Sequence, residues 1–88
     1  MENSLTGRFA VSKAGHDKGT VYVVIAHEAQ WVYLCDGRYH TLKKLKKKSL
    51  KHVEICSADV IHELKQRIRN NEKIFDHEIK YAIKRQQL

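Results

Sequence analysis

Residues 7–24 read Gly7-Arg8-Phe9-Ala10-Val11-Ser12-Lys13-Ala14-Gly15-His16-Asp17-Lys18-Gly19-Thr20-Val21-Tyr22-Val23-Val24. Two apolar runs flank a short polar stretch with two glycines. Glycine is the residue that adopts positive φ without strain, so Gly15 and Gly19 mark tight turns. Arg8–Ser12 reads as a short strand. Thr20–Ala26 is dense in β-branched residues and reads as a second. In that strand Val21, Val23 and Ile25 share one face, and Tyr22 and Val24 the other. The segment is therefore a strand–loop–strand unit with a basic, glycine-shaped loop.

Moving outward, His27-Glu28-Ala29-Gln30 reads as a polar turn, and Trp31–Cys35 alternates again as a strand. Asp36-Gly37 is a type I′ hairpin signal, with Arg38–Leu42 as the expected return strand. A lysine run follows, and Lys51–Ile55 is the expected last strand. Several short strands with frequent turns predict a small barrel or sandwich. The last third changes period. Val60, Ile61, Leu64 and Ile68 fall on one helical face, with Ser57 as the expected N-cap and Asp59 in the first turn. Asn70-Asn71 marks a stop. A second helix is expected after Asp76, using Ile79, Ala82 and Ile83. Each helix has one apolar stripe and is too short to stand alone, so the pair must pack on each other, on the β unit or on a partner, and packing on the β unit is the working expectation. The predicted division is 1–56 for the β domain and 57–88 for a helical extension.

The 88-residue chain allows one modest core and no deep pocket walled on all sides. Its net charge is +7, with a pI near 9.6, which makes nucleic acid the first partner to weigh. The charge is uneven. Residues 1–35 balance to zero, residues 36–54 carry +5, and residues 55–88 carry +2. Lys43, Lys44, Lys46, Lys47 and Lys48 lie within six residues, followed by Lys51. Such a block repels itself unless a polyanion neutralises it. The plain alternative is a solubilising sheet edge, because lysine deters strand pairing. A basic amphipathic helix is disfavoured, since the spacing of Leu45 to Leu50 breaks the helical face.

No apolar run approaches a membrane span, and the opening Met-Glu-Asn-Ser-Leu lacks the basic start and apolar stretch of a signal peptide. Cys35 and Cys56 are too few for a disulfide scaffold and wrongly spaced for zinc, so two thiols in a reducing cytoplasm are expected. His27-Glu28, His62-Glu63 and His77-Glu78 begin like H-E-x-x-H, but Trp31, Gln66 and Tyr81 occupy the fifth positions. No nucleophile has an evident base, and no nucleotide loop is present. The expectation is a non-enzyme without cofactors or metal. Tyr22, Trp31, Tyr33 and Tyr39 offer stacking rings or a Tudor-like cage, although small barrels usually spend such residues on packing.

The stretch from Gly7 to Val24 resembles the KOW motif, with Gly19 matching the motif's fixed glycine and Lys18 its basic neighbour. Some KOW proteins carry a second glycine two residues later, where this chain has Val21. With Trp31–Gly37 and Lys43–Glu54, the chain is similar to the eukaryotic and archaeal large-subunit ribosomal protein fourteen family and its small bacterial relatives. The resemblance covers about residues 5–56. It implies a five-stranded SH3-like barrel, RNA binding and no catalysis. The expected RNA contacts are Lys13, Gly15, His16, Lys18, Gly19, Arg38, Lys43, Lys44, Lys46, Lys47, Lys48 and Lys51. The expected partner is ribosomal or other structured RNA, in translation. The alternative is a protein-interaction module, with the barrel or the helical pair docking a protein or a second copy.

Overall fold

The structure, a computed structural model, describes residues 5–86. Met1–Ser4, part of the stretch read above for a leader, lies outside them. The chain is mainly β: five antiparallel strands in one sheet, followed by two helices. The strands are β1 (Arg8–Ser12), β2 (Val21–Glu28), β3 (Trp31–Cys35), β4 (Lys46–Ser49) and β5 (Val53–Asp59), in the order β4-β3-β2-β1-β5. The helices are α1 (His62–Arg69) and α2 (Asp76–Gln86).

β2 is the central strand because both of its faces are apolar, as the alternation predicts. On one face Phe9, Val23 and Cys35 meet Val60, Leu64 and Ile68 from the α1 region and Ile79 and Ile83 from α2. On the other, Ala10, Tyr22, Val24, Val32, Leu34 and Val53 pack together, with Leu5, Leu50 and Ile55 around them. The helices therefore pack on the sheet and share its core. Each buried Ile, Leu or Val contributes roughly 1.5–3 kcal/mol of transfer free energy.

β4 and β5 stand at opposite sheet edges yet are joined only by the 3-10 turn Leu50–His52. Four strand spacings in a flat sheet amount to about 19 Å. Ser49 to Val53 spans at most about 14 Å fully extended, and less when coiled. The sheet must therefore curl. Register shifts between Arg8 and Ala10 and between Val24 and Ala26 supply local bending.

Several local expectations are corrected. Arg38–Leu42 is not a strand; β4 is built from the lysine run itself, with Leu34 opposite Lys46 and Val32 opposite Lys48. The reason lies at Asp36. Its Oδ1 accepts the backbone N–H of Arg38, Tyr39 and His40 at 2.9, 3.0 and 2.9 Å, which diverts those donors from a ladder. Gly37 alone of the pair has positive φ, so the turn is not type I′. Leu42 and Leu45 are drawn to the helix-side core before pairing resumes. The turn after β2 shrinks to Ala29-Gln30, with Ala29 at φ 55°, and His27 and Glu28 belong to the strand. The last strand begins at Val53 and runs on to Asp59, so Ser57 and Asp59 are strand residues and α1 starts at His62 with no side-chain cap. Ile61 is exposed and precedes the helix. At its other end α1 closes as expected: Glu72 N–H donates to Arg67 C=O and Asn71 N–H to Ile68 C=O, with Asn71 at φ 57°. This is a Schellman closure, with asparagine in the left-handed position.

Gly37 also fixes α2. A Cβ there would lie 2.3 Å from Asp76 O and 2.9 Å from Lys80 N. Gly37→Ala is expected to destabilise by about 2–4 kcal/mol, since positive-φ strain adds to a backbone clash. Gly19→Ala carries the strain alone, because a Cβ at Gly19 meets nothing within 4 Å, and is expected to cost about 1–2 kcal/mol. Urea unfolding of both variants measures the difference; equal losses would contradict the helix contact at Gly37.

Candidate nucleic-acid interface

The loop between β1 and β2 is organised by one carboxylate. Asp17 Oδ2 accepts the Tyr22 hydroxyl proton at 2.7 Å, and Oδ1 accepts from Ser12 Oγ at 2.9 Å and Lys48 Nζ at 2.8 Å. Lys48 Nζ also donates to Ala14 O at 2.8 Å. Ser12 and Tyr22 are buried at the ends of their strands, so three elements meet at Asp17. The Lys48 and Asp17 side chains are only 10% and 18% exposed. Burial alone would raise the Asp17 pKa. Hydrogen bonds from Lys48, Tyr22 and Ser12 outweigh it and hold the carboxyl well below its usual range. Burial and the adjacent carboxylate push the Tyr22 phenol well above its usual range, so it stays a donor.

This tie brings the two expected basic segments together across 31 residues of sequence. Gly15 and His16 line a cleft with Lys46 and Lys48, whose far side carries Tyr39 and His40. A second, adjoining trough is lined by Lys46, Lys47, Lys48 and Lys51, with Trp31 and His52. Lys46 and Lys48 belong to both, so the surface is continuous. Lys13 joins it through its backbone, which donates to His52 O at 2.8 Å. Lys47 Nζ sits 4.6 Å from the Trp31 ring centroid, and the Arg38 guanidinium 5.0 Å from that of Tyr39. Lys18, Arg38, Lys43 and Lys44 are exposed but line neither concavity, and Gly19 is an exposed loop residue.

Two expected roles change in detail. Lys48 is a structural cation, committed to Asp17 and Ala14. Gly19 is required by its φ of 90° rather than by a close neighbour. The four aromatics do not gather into a cage: Tyr22, beside His40 at 5.9 Å, and Tyr39 border one concavity, Trp31 the other, and Tyr33 neither. The places of Asp17 and His40 were not evident from the sequence, and Tyr39 was one of four candidate stacking rings with nothing to single it out. A lone acid inside a basic loop, Lys13 to Lys18, was the available signal for Asp17. Both cysteines are free; burial pushes the Cys35 thiol up to about 12, which leaves it unreactive. Among the described residues no three His, Cys, Asp or Glu side chains converge as metal ligands. No helix among them is long and apolar enough to cross a membrane.

Because the folded Asp17 pKa lies below the unfolded value of 3.8, its network stabilises fully above that pH. The stabilisation is lost as pH falls toward the folded value. Asp17→Asn is expected to lower the urea midpoint at pH 7 and to flatten the decline between pH 4 and pH 2. Unchanged midpoints at pH 7 would show that the network does not hold the loop.

No family model matches the chain, and no curated protein matches it, so the functional reading rests on the site's own residues.

Proposed function

We propose that this chain is a non-catalytic, cytoplasmic RNA-binding protein that grips structured RNA, such as ribosomal RNA, through phosphate contacts. One observation carries the reading: the Lys48–Asp17 tie sets Gly15 and His16 of the glycine loop beside the lysine strand, whose Lys46 and Lys47 line one trough with Lys51. Lys46, Lys47 and Lys51 are placed along the trough without an acidic residue among its lining. Lys13 and Lys18 are exposed on the neighbouring loop, outside both concavities, and add cationic charge close by. Neutralising phosphates there releases counterions, which gives affinity without base reading. The curled five-stranded sheet supports an SH3-like barrel of the KOW kind, the architecture that the resemblance implies.

A second reading has one observation behind it. Ile61 and Tyr81 are about three-fifths exposed and line a groove of ≈ 390 Å³ between α1 and α2, a surface suited to a protein partner. On that reading Tyr81→Glu abolishes partner capture, and lysine reversal does not.

The test is a salt titration of binding to a structured RNA. With about four to six phosphates neutralised, log affinity falls against log salt with a slope of about −3 to −5. Reversing Lys46, Lys47 and Lys51 to Glu is expected to remove about three units of slope. Reversing Lys73, Lys84 and Arg85 changes the net charge equally, and is expected to leave most of the affinity. Equal losses from the two triples would contradict a localised interface.

A further inference from the structure

The two concavities differ in charge. The trough is lined by Lys46, Lys47 and Lys51, with no acid, and by Lys48, which is paired with Asp17. The adjoining cleft holds Asp17 and Asp36 against Lys46 and Lys48, a formal balance of zero with neutral histidines. A phosphate gains little in such a balanced site. Both carboxylates are also spent internally, Asp17 on Lys48, Tyr22 and Ser12, and Asp36 on three backbone N–H groups. What the cleft offers is therefore an open polar recess of ≈ 490 Å³, ample for a base, bordered by an aromatic ring.

That ring belongs to Tyr39, the most exposed large hydrophobic residue among those described, at 74%. Leaving a ring in water forgoes the stabilisation of burial. The backbone beneath it is nonetheless fixed. Tyr39 N–H and both neighbouring N–H groups donate to Asp36 Oδ1, and Asp36 and Gly37 N–H donate to His40 O at 3.0 and 3.3 Å. Leu42 N–H donates to Asp76 Oδ1 at 2.8 Å, tying the loop to α2. A tyrosine held out by a rigid loop beside a recess has the form of a stacking platform, with little ordering entropy left to lose on binding. Arg38 lies over one face of the same ring, 5.0 Å from its centroid, so a base stacks on the other face.

We propose that the cleft accepts the base of one unpaired nucleotide, stacked on Tyr39, while flanking phosphates follow the Lys46–Lys51 trough. The preferred ligand is then a duplex interrupted by a bulge or loop, not a continuous helix, whose stacked bases cannot reach the recess. This rests on the RNA-binding reading and narrows it to a class of RNA.

The experiment compares three otherwise identical RNAs at one salt concentration by fluorescence anisotropy: a perfect duplex, a duplex with a single-nucleotide bulge, and the same bulge made abasic. The bulged RNA is expected to bind about tenfold more tightly than the duplex, and the abasic bulge to fall back to the duplex value. Tyr39→Ala is expected to reduce the preference to under about twofold while leaving duplex affinity and the salt slope unchanged; Tyr39→Trp retains it. Because Tyr39 is exposed, these variants should keep the parent's circular dichroism and urea midpoint, which checks the comparison. Equal binding of duplex and bulge, or full affinity for the abasic bulge, overturns the base-in-cleft inference and leaves the phosphate interface standing. Failure of all three RNAs to bind overturns both.

Discussion

The Asp17 carboxylate is the constraint on which the surface depends. It accepts hydrogen bonds from side chains of β1, β2 and β4, through Ser12, Tyr22 and Lys48. Burying a charge costs several kcal/mol unless it is paired and hydrogen-bonded, and Asp17 is both. A pair of this kind contributes less to net stability than to geometry, since removing either partner strands the other. Its consequence here is positional: the loop that carries Gly15 and His16 is locked against the edge strand that carries the lysines.

The lysine strand shows how a chain tolerates a cationic tract in a sheet. β4 is an edge strand, so each residue has one ladder neighbour and one open side. Successive side chains alternate between faces. Lys48 is neutralised by Asp17, and Lys47 rests over Trp31. Lys46 and Lys51 have no such partner among the described residues and leave their charge open to the trough. The edge-protecting role and the phosphate-binding role are therefore compatible: the same placement that discourages a second strand presents ammonium groups to solvent. Charge then divides the surface into a cationic track and a balanced recess.

Much of the β unit was legible in the residues. The bounds of β1 and β3 match the alternating runs, and both faces of β2 fall as the pattern requires, because burial on two sides leaves few other solutions for a β-branched run. α2 begins at Asp76 itself, just ahead of the expected start after that residue. The segment from Asp36 to Leu45 was not legible. Its conformation depends on a side-chain carboxylate capturing three backbone donors and on Gly37 meeting α2, a contact about 40 residues distant in sequence. Propensity also disfavours Lys46-Lys47-Lys48 as a strand, and only tertiary neighbours reverse that preference. The start of α1 was misplaced for a related reason: Ser57 and Asp59 have the chemistry of a cap, but pairing of β5 with β1 continues through Asp59. The basic character of the site and its candidate aromatics were readable from the residues, whereas the choice of Tyr39 among those rings and the organising acid required the fold.

The most direct measurement is amide shift mapping of the isotope-labelled protein titrated with a structured RNA. The account predicts one contiguous set of perturbed amides, in residues 13–19, 38–40 and 46–52, with the outer faces of α1 and α2 unaffected. Perturbations centred on the Ile61–Tyr81 groove, with the lysine strand silent, would contradict it.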